Sequence, residues 1–96
     1  MRIALLGYGR MGKAIEEIAI ERGHEIVIRK DVDPIDLDLS IADAAIDFSH
    51  PSAAFNNIKD CIDSKVAVVS GTTGWLDRFD EIKSYCEEQG GAFIYA

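Results

Sequence analysis

Apolar and polar positions along this chain follow two alternating rhythms. Short unbroken apolar runs mark strands covered on both faces, and stretches in which apolar residues return every three or four positions mark one-sided helices. The first run is Ile3 to Leu6, closed by Gly7. A helix is predicted over 11–22, with Met11, Ile15, Ile18 and Ala19 on its buried face and Gly23 in a left-handed C-terminal cap. The β-branched run over 24–29 is the second strand. Residues 31–43 hold five aspartates, Pro34 and no Lys or Arg, and read as a loop with at most one helical turn. A third strand over 44–48 leads into a helix opened by Pro51, capped by Ser49 or His50 and running to about Asp63. Its apolar face carries Ala54, Phe55, Ile58, Cys61 and Ile62. A fourth strand over 66–69 precedes Ser70-Gly71-Thr72-Thr73-Gly74. Asp77 is placed to cap a third helix bearing Phe79, Ile82 and Cys86; Gly90-Gly91 ends it, and 92–95 form a fifth strand.

Strands alternating with helices define an α/β domain with a parallel sheet. Right-handed crossovers and the short connection between strands two and three give the order 2-1-3-4-5, a Rossmann-like doubly wound sheet with its switch point between strands one and three. The 96 residues fit one domain, spanning 1–96, with no linker or repeat. A net charge of -7 argues against a nucleic-acid or anionic-membrane surface. No apolar run approaches the roughly 20 residues that span a bilayer, and no signal peptide is read. Cys61 and Cys86 are too few for a disulfide scaffold and point to a reducing, cytoplasmic setting. Both sit on apolar helix faces, as core residues. Trp75 reads as a packing residue, with the wall of a ligand pocket as the alternative. No metal-ligand spacing is present.

The chemistry concentrates at Gly7-Tyr8-Gly9-Arg10-Met11-Gly12, a G-x-G-x-x-G between a predicted strand and a predicted helix. In that context Gly7 allows the tight turn, Gly9 lets backbone approach a pyrophosphate, and Gly12 lets helix pack on strand. The helix start offers unpaired N–H groups and a positive dipole end. Arg10 and Lys13 add positive charge beside it. Asp31, 19 residues beyond Gly12, stands where a carboxylate accepts the ribose hydroxyls of a dinucleotide. Arg29 and Lys30 just before it are each able to pair with a 2′-phosphate, so NADH and NADPH both stay open. Phe48-Ser49 and Gly71-Thr72-Thr73 follow strands three and four, beside the switch point.

Gly7 to Gly12, then Ile46-Asp47-Phe48-Ser49 with Pro51, then Gly71-Thr72-Thr73-Gly74-Trp75, resemble the N-terminal domain of bacterial dihydrodipicolinate reductases, also called 4-hydroxy-tetrahydrodipicolinate reductases. The resemblance runs through the whole chain in order. It implies NADH- or NADPH-dependent reduction of the dihydrodipicolinate ring in diaminopimelate and lysine biosynthesis. It implies that Gly7, Gly9, Arg10, Met11 and Gly12 hold the pyrophosphate and Asp31 the ribose. Phe48 and Ser49 then line the nicotinamide side, and Gly71, Thr72 and Thr73 contact nicotinamide and its ribose. Ala96 falls at the start of a loop that returns to the cofactor. The family's His- and Lys-containing catalytic motif lies in a second domain, and nothing in these residues matches it. The expectation is therefore a cofactor-binding half, with no catalytic residue of its own and no turnover of the small-molecule substrate alone. An open fifth-strand edge makes a homo-oligomer plausible. The competing readings are a nucleotide-sensing regulatory domain of a potassium transport system and a dehydrogenase of small hydroxy or amino acids.

Overall fold

The computed structural model describes residues 1–30 and 38–95. Its five strands are β1 (Arg2–Leu6), β2 (Glu25–Lys30), β3 (Ala44–Asp47), β4 (Ala67–Ser70) and β5 (Phe93–Tyr95). All pair in parallel, in the order β2-β1-β3-β4-β5. This is the sheet the alternating pattern predicts. The helices are α1 (Arg10–Glu21), α2 (Pro51–Asp63) and α3 (Phe79–Gln89). On one face Ala4, Leu6, Ile28, Ala45 and Val68 pack against Ala54, Ile58 and Ile62 of α2 and Ile82 of α3. On the other, Ile3, Leu5 and Ile26 pack against Ala19 of α1. The connections leave β1 and β3 in opposite directions, so a crevice opens beyond their carboxyl ends.

β2 carries an irregularity that decides what faces this crevice. Ile3 pairs with Ile26, but Ala4 pairs with Ile28, which leaves Val27 as an extra residue. Side chains alternate across a strand, so one extra residue exchanges the two faces for everything after it. Arg29, opposite Leu5, consequently lies on the α1 face and pairs with Glu16. Lys30, opposite Leu6, lies on the α2 face and donates to Asn57 Oδ1 at 2.6 Å. An unbroken strand would have put Arg29 toward α2 instead.

Three expectations are corrected. Met11 and Ile18 are not core residues: they are 54% and 51% exposed, and Ile15 is only half-buried. The helix instead rests on its small residues Gly12 and Ala19, because a side chain at Gly12 would collide with the carbonyl oxygen of Gly7. So close an approach pushes the large side chains to the flanks. Asp77 does not cap α3. It lies exposed in a 3₁₀ turn (Leu76–Arg78), and Arg78 occupies the cap position without a side-chain bond. Trp75 is buried among Phe79, Phe93 and Tyr95, and the chain winds directly from this anchor into the helix. Of the two residues expected to cap α2, His50 does hold the N-cap position, but without a side-chain bond; Ser49 does not cap, and is turned inward, to Asp47. Pro51 opens α2 and Gly23 adopts φ +84° after α1, both as the sequence predicts.

Candidate functional site

The turn after β1 is built on glycine for two separate reasons. Gly7 has φ +107°, and a side chain there would strike the carbonyl of Phe48 at the end of β3. Its N–H donates to Lys30 O at 2.7 Å, so the turn is tied to the end of β2. Gly9 is the N-cap of α1 with an ordinary φ of -87°, and a Cβ there would meet nothing within 4 Å. Gly7 thus serves the fold, and Gly9 keeps the mouth of the helix open. The first intrahelical bond runs from Lys13 N–H to Gly9 O at 3.0 Å. The amides of Arg10, Met11 and Gly12 therefore precede the helical ladder and remain donors at the positive dipole end. The first turn of α1 contains no acidic side chain, which would otherwise compete for those donors.

Beside this turn lies a cleft of about 750 Å³. Gly7, Tyr8 and Gly9 form one wall, Phe48 and Ser49 another, and Lys30 and Asn57 contribute from β2 and α2. Tyr8 is oriented by a hydrogen bond from its hydroxyl to Glu16 Oε2 at 2.6 Å. That bond, and then the Arg29 guanidinium, holds the Glu16 carboxyl below its ordinary range. The same bond holds the Tyr8 hydroxyl above its own. Arg29 is thereby engaged on the far side of the sheet, and Lys30 is the one cation lining the cleft among the described residues.

The Phe48–Ser49 wall is held from beneath by Asp47, which is completely buried at the end of β3. Its Oδ1 accepts from Ser49 Oγ at 2.6 Å and Asn57 Nδ2 at 3.2 Å. Its Oδ2 accepts from Ser70 Oγ at 2.7 Å and Thr72 Oγ1 at 2.9 Å. Thr72 Oγ1 in turn accepts from the Ser49 backbone N–H at 2.8 Å, and the Thr72 carbonyl accepts from Trp75 Nε1 at 2.7 Å. Buried polar groups must find partners, and here they find one another. The loop after β3 and the loop after β4 are joined into one unit. Gly71 tightens it: a side chain there would overlap the Phe48 ring.

Gly7, Gly9, Phe48 and Ser49 therefore line the cleft, and Gly12, Gly71 and Thr72 support it from just behind. Arg10, Met11 and Thr73 are exposed and do not line it. Asp31 and Ala96 lie outside the described residues. Sequence reasoning attached no role to Asp47 and Asn57. A lone carboxylate ending the apolar strand Ala-Ala-Ile-Asp was the available signal, since such a group needs several donors to be buried. Cys61 is buried, and desolvation pushes its thiol up to about 12, as suits a core residue. No cluster of metal-ligating side chains occurs among the described residues.

Residues 1–96 match the family described as dihydrodipicolinate reductase, N-terminus. The chain belongs to this family. A 4-hydroxy-tetrahydrodipicolinate reductase of Christiangramia forsetii is 53% identical over 98 residues, covering 100% of this chain and 41% of that protein. A protein of the same name from Mycolicibacterium smegmatis is 32% identical over 101 residues, covering 98% and 40%. The chain thus spans about two fifths of the length of the curated relatives it matches. A crystal structure of Staphylococcus aureus homoserine dehydrogenase superposes with a TM-score of 0.72 over 100% of this chain and 32% of that one. At 17% identity that likeness speaks for the fold. In this dihydrodipicolinate reductase N-terminus, then, the glycine turn and the Gly71-Thr72-Thr73-Gly74 loop flank the switch point of a Rossmann-like sheet. No helix of the described residues is long and apolar enough to cross a membrane.

Proposed function

We propose that this domain binds NADH or NADPH across the cleft between the β1 and β3 loops. In a longer reductase it would present the nicotinamide for reduction of 4-hydroxy-tetrahydrodipicolinate to tetrahydrodipicolinate, in diaminopimelate and lysine biosynthesis. The observation that carries this reading is Gly9: it sits at the mouth of a 12-residue helix, opens onto the cleft, and leaves clear the space a side chain would fill. A pyrophosphate there meets the free amides of Arg10, Met11 and Gly12. The adenosine half extends toward the end of β2. Lys30 waits there, its ammonium held by a neutral amide, and supplies the charge for a 2′-phosphate. Asp31 follows it in sequence as the partner for ribose hydroxyls. The nicotinamide half extends toward Phe48, Ser49, Gly71 and Thr72. When bound, the dinucleotide supplies the hydride; the residues of this chain bind it, orient it and cover one side of it. The reading assigns no proton donor to these residues.

Titration calorimetry of the folded protein with NADH, NADPH, ADP and ATP tests the proposal. Binding of either dinucleotide, tighter than ADP or ATP, is expected. Heat from ADP or ATP alone, or from none of the four, would refute it.

A further inference from the structure

Asp47 contributes no atom to the lining of the cleft, yet it determines what the cleft wall offers a ligand. Four donors converge on its two oxygens. A hydroxyl has one proton, so a Ser49 Oγ that donates to Asp47 has none left for the cleft. It also accepts from Asn57 Nδ2 at 3.1 Å. What it shows the cleft is a lone pair. Thr72 Oγ1 is committed in the same way, its proton on Asp47 and one lone pair on the Ser49 N–H. The Asn57 amide cannot turn over to reverse this, because Lys30 donates to its Oδ1 and so directs its Nδ2 toward Asp47 and Ser49.

We infer that Asp47 is a positioning residue for dinucleotide binding. It fixes the loops after β3 and β4 relative to each other and makes Ser49 an acceptor, so that the wall selects the hydrogen-bond donor on the nicotinamide ring of the cofactor. The carboxamide N–H₂ is that donor. This inference rests on the proposed cofactor reading. An uncharged Asn at 47 keeps the shape but replaces one acceptor by a donor. Whichever way the new amide faces, it opposes two existing donors. Relief requires at least one hydroxyl to reverse its proton, which alters what the wall presents.

The test compares NADH with ADP-ribose, which shares every group except the nicotinamide, in the wild-type protein, Asp47→Asn and Ser49→Ala. Dissociation constants and melting temperature are measured for each. Asp47→Asn is expected to weaken NADH about tenfold while ADP-ribose changes less than about twofold. Ser49→Ala is expected to show the same split. Combining the two should add little further loss, because both act through one acceptor. Equal losses for NADH and ADP-ribose would show a merely structural carboxylate and overturn the inference, as would unchanged NADH binding. Should Asp47→Asn not fold, Ser49→Ala alone decides, since undiminished NADH binding by it removes the acceptor role. A wild-type protein that binds neither compound defeats the cofactor reading itself. One that binds both, with no split in the variants, defeats only the role of Asp47.

Discussion

Gly9→Asp should separate binding from stability, because the structure gives these two effects opposite signs at this residue. Gly9 has φ -87° and ψ -151°, open to any residue, and a Cβ there has no neighbour within 4 Å. It is also the N-cap of α1, with no side-chain cap bond at present. Asp is among the preferred N-cap residues and exceeds Gly by a few tenths of a kcal/mol. The fold should therefore be unharmed or slightly stabilised. For a bound pyrophosphate the same carboxylate is adverse twice over. It takes up amides that the phosphates need, and it brings like charge close to them. Two unit charges about 4 Å apart repel by about 4 kcal/mol at an effective dielectric near 20. Allowing for solvent screening at this exposed turn, a net loss of about 3 kcal/mol is expected, roughly a hundredfold in affinity. Titration with NADH and NADPH measures the loss, and a thermal melt on the same sample measures the fold. Affinity within about threefold of wild type would refute the assignment of this turn to the pyrophosphate. A melting temperature lowered by several degrees would refute the claim that position 9 is structurally free.

Gly12→Ala should behave in the opposite way, because its methyl group meets the rigid Gly7 carbonyl; overpacking of about 1–3 kcal/mol is expected, read as a drop of several degrees in melting temperature. Lys30→Met should lower the ratio of NADPH to NADH affinity about tenfold, whereas Arg29→Met, across the sheet with Glu16, should leave that ratio nearly unchanged; equal effects would mean that the β2 irregularity does not sort the two cations. Stability should fall as pH rises from about 9 toward 12. The Cys61 thiol, pushed up to about 12 by burial, stays protonated when folded while the unfolded thiol ionises, with a limiting slope of about 1.4 kcal/mol per pH unit. Urea melts of Cys61→Ala should show a shallower alkaline slope. It is not a flat one, because the raised Tyr8 and Tyr85 hydroxyls titrate in the same sense.

The parts of this molecule legible in its residues are those set by short-range chemistry. Sheet order follows from alternating strand and helix patterns, from loop lengths and from the handedness of crossovers. The glycine turn is legible because each glycine answers a local need: a positive φ at Gly7, an open approach at Gly9 and a close helix at Gly12. Pro51 marks the start of α2 for a similar reason. The reductase family is legible because the glycine turn, the Asp47-Phe48-Ser49 segment and the Gly71-Thr72-Thr73-Gly74 loop occur together and in order.

What the tertiary structure alone decided depends on register and distance between segments far apart in sequence. Helical spacing put Met11 and Ile18 in the core, but the depth at which α1 settles is set by Gly12 against the β1 turn, and that depth leaves both exposed. Arg29 and Lys30 are neighbours in sequence. Which one faces the cleft turns on the pairing of Ile3 and Ala4 with β2, 23 and 24 residues further along the chain. Asp47 is one of many aspartates until Ser49, Asn57, Ser70 and Thr72 are folded around it. Periodicity within a segment determined which elements form and in what order they join. Contacts between segments determined which side chains reach the site, because a one-residue offset in pairing reverses a strand's faces without changing its pattern.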